Sequence, residues 1–266
     1  MSNNKKIRFE FGKNWNKFLG TLDENKIDAA LKSLSEMLAL QNLSGKTFLD
    51  IGSGSGLFSL SAIKLGAKQV YSFDYDLNSV ECTKKLKEKF FPDIKNWTIE
   101  QGSILDTDYI NRLGQFDIVY SWGVLHHTGD MWKALENVIP LIKKDGKLFI
   151  AIYNDQGFIS KIWKIIKIIY NKLPNFLKPL YVLIIISIFE FKHLLAGLFK
   201  QKKYCSPQSA RGMSKYYDWV DWLGGYPFEV AKPGEIISFY EKKGFLIEKL
   251  KTCGNGYGNN EFVFVR

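Results

Sequence analysis

The stretch that decides the fold is Phe48-Leu49-Asp50-Ile51-Gly52-Ser53-Gly54-Ser55-Gly56-Leu57-Phe58. An apolar run followed by a carboxylate and alternating glycines predicts a buried strand, a tight turn and then a helix. Glycine suits such a turn because it reaches positive φ at little cost and lets a ligand approach bare backbone. The helix that follows offers unpaired N–H groups and the positive end of its dipole. The stretch therefore predicts a binding site for a ligand with an anionic group.

The spacing of the glycines separates the ligands that such a turn can hold. A dinucleotide fingerprint needs Gly-x-Gly-x-x-Gly, but Leu57 stands at the sixth position, and the Lys-Ser/Thr ending of a P-loop is also absent. The pattern Asp-x-Gly-x-Gly-x-Gly after a strand resembles the S-adenosylmethionine pocket of class I methyltransferases. The resemblance implies S-adenosylmethionine as cofactor and S-adenosylhomocysteine as product. An ordinary glycine turn without a ligand is the alternative.

Further strands and helices alternate along the chain at the spacing of an α/β protein. Strands are predicted at 70–73, 97–100, 116–121 and 147–153, and helices at 57–65, 77–90 and 133–142. This alternation predicts a parallel, doubly wound sheet. Asp74 ends the second strand about 20 positions past the glycines, where nucleotide folds bind the ribose hydroxyls. Asp76 is a less natural choice for that contact, and a solvated turn residue is the alternative for Asp74.

The family resemblance implies a Rossmann-like methyltransferase fold with a seven-stranded, mostly parallel sheet. It covers about residues 45–153 and 234–266, and a helical insertion stands before the last two strands. A closing antiparallel pair is expected at 245–251 and 261–265. The predicted regions are an N-terminal arm and cap helix (1–44), a cofactor-binding core (45–155), a helical and aromatic insertion (156–233) and a C-terminal helix with a strand pair (234–266).

The resemblance also implies a set of cofactor-binding residues near the carboxyl ends of the strands. They are Asp50, Gly52, Ser53, Gly54, Gly56, Asp74, Tyr75, Ser103, Ile104, Trp122, Gly123 and Trp15. Ser103 departs from the family pattern, which usually has Asp in this adenine-binding loop, although a serine hydroxyl can still hydrogen-bond the exocyclic amine. Trp15 belongs to an aromatic N-terminal arm, which either folds over the cofactor or packs onto the core.

Two adjacent histidines, His126 and His127, follow the fourth predicted strand directly. A hydroxyl acceptor loses its proton as it attacks a methyl group, and histidine is best matched to accept that proton near neutral pH. In similar methyltransferases the histidine at this motif lines the acceptor side, which implies His127 as the base and His126 as the second choice. A structural or solvent-facing pair is the alternative, and an amine acceptor would need less help. No metal is predicted, because Gly123 and His126 replace the glutamates of ubiquinone-type O-methyltransferases.

The segment from 158 to 203 is apolar and strongly basic. Nine lysines against Glu190 alone give it +8 of the formal net charge of +10. These are Lys161, Lys164, Lys167, Lys172, Lys178, Lys192, Lys200, Lys202 and Lys203. Charged residues near the middle of 180–199 argue against a membrane span, so two or three amphipathic helices are predicted. They suit a lid or oligomer contact, or peripheral contact with a membrane surface through 159–203.

Aromatic and acidic residues are mixed between Arg211 and Pro233. They are Tyr216, Tyr217, Asp218, Trp219, Asp221, Trp222, Tyr226, Phe228 and Glu229. Polar groups on a rigid aromatic frame suit a small polar substrate. The same aromatics also suit docking of the insertion onto the sheet.

The 266 residues are long enough to bury a sizeable core. Three widely spaced cysteines, Cys82, Cys205 and Cys253, form neither a disulfide framework nor a zinc pattern. Residues 1–6 are polar, without the apolar core of a signal peptide. These features predict a cytoplasmic protein, with peripheral association at the inner face of the membrane as an additional prediction.

Together the motifs predict a methyltransferase for a small polar or glycan-linked acceptor, at oxygen. The stretches 121–129 and 222–229 resemble a bacterial subgroup associated with capsule, O-antigen and other surface polysaccharide biosynthesis. The expected partners are a small-molecule or glycan-precursor substrate and a homo-oligomer contact, with no nucleic acid. Three alternatives stay open: a lipid- or prenyl-linked acceptor, a nucleic-acid modifier or binding module attracted to the basic segment, and a cofactor-binding protein without turnover.

Overall fold

The computed structural model describes residues 9, 11–12, 15, 19–20, 22–198, 215–254, 256 and 258–266. The side chains of residues 189–198 and 215–218 are not described. Several residues named above lie outside the described part in whole or by their side chains. They are Glu190, Lys192, Lys200, Lys202, Lys203, Cys205, Arg211, Tyr216, Tyr217 and Asp218.

The described strands form one sheet. They are β1 (Thr47–Ile51), β2 (Gln69–Asp74), β3 (Trp97–Gln101), β4 (Phe116–Trp122), β5 (Ile142–Tyr153), β6 (Leu246–Lys251) and β7 (Asn259–Val265). Their order across the sheet is β3-β2-β1-β4-β5-β7-β6. The first five run parallel, and β7 pairs antiparallel with both β5 and β6. The predicted α/β fold with a seven-stranded, mostly parallel sheet is confirmed.

Helices cover the sheet and form the insertion. They are α1 (Glu24–Leu38), α2 (Leu57–Lys64), α3 (Leu77–Phe90), α4 (Thr107–Asn111), α5 (Met131–Val138), α6 (Phe158–Lys172), α7 (Lys178–Leu198), α8 (Lys215–Gly224) and α9 (Pro233–Glu241). Four of them begin after an aspartate, Asp23, Asp76, Asp106 or Asp130, whose carboxylate accepts a backbone N–H of the first turn. This N-capping satisfies a donor that the helix itself leaves unpaired.

Both faces of the sheet are buried under apolar clusters. Neighbouring residues of β1 face opposite sides, so Leu49 joins the cluster under α5 and α9 while Phe48 joins the cluster under α1, α2 and α3. Strands buried on both faces read as continuous apolar runs, as the stretch around residue 48 does. This leaves the carboxyl ends of the strands as the place where polar residues collect.

Two predicted boundaries near β5 are wrong. The predicted helix 133–142 ends at Val138, where Pro140 falls in a short 3₁₀ turn, Ile139–Leu141. Proline lacks the N–H that a continuing α-helix needs. Strand β5 begins at Ile142 instead of Lys147.

The described part of the basic segment folds as the two helices α6 and α7, in agreement with the predicted two or three helices, and α8 follows in the aromatic stretch after it. Their buried side chains Trp163, Tyr170, Val182 and Leu223 form a third apolar cluster with Phe228. Among the described residues, no helix combines the length and the apolar character that crossing a membrane requires.

Candidate active site

The glycine loop between β1 and α2 has the backbone conformation that its sequence predicts. Gly52, Gly54 and Gly56 have φ values of 75°, 56° and 79°. Gly52 N–H and Ser53 N–H both donate to Phe73 O, at 2.8 and 3.2 Å, which ties the loop to the end of β2. The loop is therefore a tight left-handed turn at the start of α2, and the N–H groups of Gly54 and Gly56 are also bonded within the protein, to Asp74 Oδ2 and Ser53 O.

Asp74 lies directly beside this loop. Its Oδ2 accepts a hydrogen bond from Gly54 N–H at 3.0 Å, and its Oδ1 accepts one from Asp76 N–H at 2.9 Å. The N-terminal arm reaches the same place, because Gly12 N–H donates to Asp76 Oδ2 at 2.9 Å. The structure thus brings the glycine loop, the end of β2 and the N-terminal arm together through bonds that span 20 and 64 residues of the chain.

Trp15 of the arm covers the loop. A Cβ placed on Gly54 would lie 3.0 Å from Trp15 Nε1 and 3.1 Å from Cε2. The indole therefore rests against the face of the loop where only hydrogen fits. This position agrees with an arm that folds over the loop, and Trp15 also packs beside the apolar cluster under α1.

Asp50 lies beneath the loop, not on its open face. It is 2% exposed, and its carboxylate accepts a hydrogen bond from Ser59 Oγ. Ser59 Oγ also lies 2.7 Å from Ser72 Oγ, which accepts a hydrogen bond from the indole N–H of Trp97 at 2.9 Å. Burial raises the pKa of Asp50 to about 7, against the lowering effect of the Ser59 hydrogen bond. Direct contact between Asp50 and a cofactor stays a prediction. The role of the buried Ser59 and Ser72 in this hydrogen-bond chain was not identified from the sequence.

The remaining predicted cofactor residues surround the same edge of the sheet. Ser53 Oγ and Thr83 Oγ1 are 3.0 Å apart in the interior. Ser103 Oγ accepts a hydrogen bond from Leu105 N–H at 3.2 Å, whereas the side chain of Ile104 is buried in the core.

Three more of these residues differ in exposure. The side chain of Tyr75 is exposed, and Trp122 packs beside the cluster under α1. Gly123 has open space where a Cβ would be. None of these placements involves a ligand, so the cofactor role of each residue stays a prediction.

His127 is held in a defined tautomer. Its Nδ1 lies 2.6 Å from Pro227 O, and a carbonyl oxygen only accepts, so Nδ1 carries the proton. In the neutral ring Nε2 then bears the lone pair that can accept a proton. The rings of Phe11 (5.1 Å) and Tyr153 (5.3 Å) pack against the imidazole. A Cβ on Gly225 would come within 2.9 Å of His127 Cε1, so the missing side chain there leaves room for this edge of the ring.

His126 is buried more deeply. It is fully shielded from solvent, its ring lies 4.0 Å from that of Tyr153, and its Nδ1 accepts a hydrogen bond from Tyr153 N–H at 3.4 Å. Burial, together with the nearby His127 and Lys167, keeps the pKa of His126 well below its usual range. His126 is therefore neutral at neutral pH and packs as part of the interior.

The two sequence stretches that resemble a bacterial subgroup fold against each other. Besides the bond from His127 to Pro227, Glu229 N–H donates to His126 O at 3.0 Å. The Glu229 carboxylate accepts from Gly129 N–H and Met131 N–H, each at 3.1 Å, and so caps α5. Burial raises the pKa of Glu229 despite these bonds. Residues 222–229 therefore position the histidine turn, a role that the sequence alone did not reveal.

Lys167 of α6 is a fully buried lysine near His126. Its Nζ donates to Trp222 O and lies 4.6 Å from the Trp222 ring, 4.9 Å from the Phe228 ring and 5.8 Å from the Tyr153 ring. Burial lowers its pKa to about 7, against the raising effect of Asp221. Such an aromatic cage stabilises an ammonium group through the faces of its rings. In the sequence, Lys167 is one of the nine lysines of the basic segment.

A small cleft opens beside this cage; its volume of about 10 Å³ has room for about one water molecule. Its aromatic wall consists of Tyr153, Trp163, Trp222 and Phe228. Its polar groups come from Asn154, Gln156 and Ser160. Of the aromatic set predicted between 211 and 233, Trp222 and Phe228 line this cleft and also pack within the insertion.

No group of three or more His, Cys, Asp or Glu side chains lies close enough to hold a metal ion in the part of the chain that the structure describes.

Comparisons with known proteins place this geometry in a family context. A family model described as a methyltransferase domain matches residues 42–219. The ribosomal protein L11 methyltransferase of Prochlorococcus marinus is 33% identical over 114 residues, which are 42% of this chain and 37% of that protein. The ubiquinone biosynthesis O-methyltransferase of Coxiella burnetii is 30% identical over 147 residues, 54% of this chain and 58% of that protein. The chain thus spans less than two thirds of either relative.

A solved structure has the same fold over nearly the whole chain. The magnesium protoporphyrin IX methyltransferase of Synechocystis PCC 6803, crystallised with bound SAH, superposes with a TM-score of 0.54 at 16% identity. The match covers 91% of this chain and 84% of that one. At this identity the likeness concerns the fold alone.

Proposed function

The chain belongs to the family of methyltransferase domains, and on that premise we propose that it transfers a methyl group from S-adenosylmethionine to a hydroxyl oxygen. The proposed acceptor is a small polar or glycan-linked molecule of bacterial surface polysaccharide biosynthesis. The family depends on S-adenosylmethionine, so the cofactor follows from membership. The relatives reported above are named for a ribosomal protein and for ubiquinone biosynthesis, so the glycan acceptor rests on the sequence motifs.

The residues at the loop fit this cofactor. The glycines at 52, 54 and 56 allow the tight turn that this cofactor needs, because Cβ atoms there would meet Val124, Trp15 and Thr83. Asp74, next to Gly54, carries the carboxylate that would accept hydrogen bonds from the ribose hydroxyls. Trp15 would cover the bound molecule from the arm. When bound, the cofactor supplies a methyl group activated by the positive sulfonium.

The observation that carries the oxygen acceptor is the hydrogen bond between His127 Nδ1 and Pro227 O. It fixes the proton on Nδ1, which leaves Nε2 as the proton acceptor. His127 would take the proton of the acceptor hydroxyl during attack, a step for which an aligned base contributes about 10²- to 10⁴-fold in rate. His126 stays neutral beneath it because Lys167, His127 and burial all oppose its protonation.

The residues that line the water-sized cleft beside the histidines have the chemistry that a ring-shaped polar acceptor needs. A sugar ring presents apolar C–H faces and a rim of hydroxyls, which match an aromatic wall with a few polar groups. The rings of Trp222 and Phe228 supply the wall, while Asn154 and Gln156 supply hydrogen-bonding groups. A lipid- or prenyl-linked acceptor is the second candidate, because apolar side chains are exposed on the far side of α6.

The test is turnover with labelled S-adenosylmethionine and a panel of nucleotide-linked sugars and surface-glycan precursors, analysed by mass spectrometry. His127→Gln should lower turnover by about 10²- to 10⁴-fold while leaving S-adenosylhomocysteine affinity unchanged in calorimetry. His126→Gln is the matched control, and it should retain much more activity. An unaffected His127→Gln enzyme, or a methyl group found on nitrogen, would contradict the assignment. Cofactor binding with no transfer to any acceptor would favour a binding protein without turnover.

A further inference from the structure

Exposed large apolar side chains concentrate on two neighbouring helices of the insertion. Eleven of the sixteen found among the described residues lie between 158 and 188. Eight of them recur at intervals of three or four residues, as one face of a helix does. They are Phe158, Ile162, Ile165 and Ile169 of α6 and Leu180, Leu183, Ile184 and Ile188 of α7. Together these eight residues form the outer face of the insertion.

The opposite side of α6 is already occupied. Ser160, Trp163, Lys167 and Tyr170 are buried there against α8 and the cleft. The outer face is therefore a second apolar surface of α6, because the opposite side of this helix is already packed against the rest of the insertion. Monomeric soluble proteins rarely expose contiguous apolar patches of this kind unless the patch binds something.

Helices α6 and α7 are packed together, so their exposed residues belong to one region. Tyr181 Oη donates to Ile166 O at 3.2 Å, and the rings of Tyr181 and Tyr170 are 6.2 Å apart. The connecting loop adds Phe176, which is 78% exposed. Apolar exposure thus continues from one helix through the loop to the next.

The charge of this region has one sign. Residues 156–188 contain five lysines and no aspartate or glutamate. Lys167 is buried, whereas Lys161, Lys164 and Lys172 are exposed on α6. By helical spacing Lys161 and Lys172 border the outer face on one side. An apolar stripe bordered by lysines is the pattern of a helix that lies in a membrane interface.

We propose that the outer face docks the protein onto an anionic lipid bilayer, with α6 and α7 lying in the interface. The apolar side chains enter the acyl boundary while the lysines contact the anionic headgroups. A second copy of the chain fits less well, because a two-fold pairing of this face would bring lysines of equal charge together without a carboxylate between 156 and 188. The bilayer supplies the missing negative charge.

The experiment measures co-sedimentation of the full chain with phosphatidylcholine vesicles, with and without phosphatidylglycerol. Binding should require phosphatidylglycerol and weaken as salt rises. Ile165→Asp should lower partitioning onto the vesicles by at least about tenfold. It removes an apolar side chain that would enter the bilayer and adds a negative charge that the anionic lipids repel. Each of Lys161→Gln and Lys172→Gln should lower it about fivefold.

The matched control is Leu246→Asp, which changes an apolar side chain of β6 that is 73% exposed and far from the insertion. It should leave vesicle binding unchanged. Absence of binding, or an equal loss in Leu246→Asp, would overturn the proposal. So would light scattering that shows a dimer dissociated by Ile165→Asp. S-adenosylhomocysteine calorimetry on the same variants keeps this test separate from the proposed function, because the outer face does not contact the glycine loop.

Discussion

Gly52→Ala is the substitution that tests most directly how the glycine loop and the histidine turn depend on each other. Gly52 has φ of 75°, and a Cβ there would lie 2.4 and 2.5 Å from the two Cγ atoms of Val124. The left-handed backbone costs an alanine about 1–2 kcal/mol. Overlap with a packed side chain adds about 1–3 kcal/mol. Because Val124 immediately precedes the 3₁₀ turn that carries His126 and His127, the strain falls on both parts of the site.

Gly45→Ala is the control that separates these two costs. Gly45 has φ of 76°, but nothing lies within 4 Å of the position its Cβ would take. The two alanine variants therefore share the backbone cost and differ in the contact with Val124. Urea unfolding should show Gly52→Ala less stable than Gly45→Ala by about 1–3 kcal/mol.

Val124→Ala in the Gly52→Ala background supplies the rescue. It deletes both overlapping Cγ atoms and leaves only Val124 Cβ, 3.0 Å from the new methyl group. The double variant should recover most of the difference between Gly52→Ala and Gly45→Ala, along with affinity for S-adenosylhomocysteine measured by calorimetry. Equal destabilisation of the two glycine variants, or a double variant no better than Gly52→Ala, would refute the reasoning.

Two further predictions concern single charged groups. Burial lowers the pKa of Lys167 from 10.5 to about 7. Between these pH values the unfolded chain therefore holds a proton that the folded chain lacks. The free energy of unfolding should rise with pH in this range by up to about 1.4 kcal/mol per pH unit. Lys167→Met should remove that slope in urea unfolding at pH 7 and pH 9; a slope that persists would place the titration elsewhere. Asp74→Asn should weaken S-adenosylhomocysteine binding about tenfold or more through lost charge-assisted bonds. Asp23→Asn, which changes the N-cap of α1, should not; similar losses in both would show a general effect of the substitutions on folding.

The sheet and the cofactor edge could be predicted because their signals are local. A buried parallel strand is a short apolar run, and the glycine loop and Asp74 each follow such a run directly. The wrong boundaries near Pro140 show where local signals conflict, since the apolar spacing continues through a residue that cannot continue the helix.

The histidine environment could not be predicted, because its contacts join distant parts of the chain. His127 and Pro227 are 100 residues apart, and so are Gly129 and Glu229. No periodicity within either stretch indicates such a partner. A local signal did exist for Lys167: it shares a helical face with Trp163 and Tyr170, opposite the isoleucines of α6, and a lysine on the aromatic side of an amphipathic helix indicates burial.

The aromatic residues of the insertion were expected either to bind a substrate or to dock the insertion onto the sheet, and their contacts join the two roles. Trp222 is fixed from two sides, because its carbonyl accepts from Lys167 Nζ and its ring packs 5.1 Å from that of Tyr153. Phe228 packs against the same tyrosine at 5.4 Å. Rings that are immobilised before an acceptor arrives lose little conformational entropy when it binds. The contacts that dock the insertion would therefore also preorganise the rings of Trp222 and Phe228 as an acceptor surface beside His127.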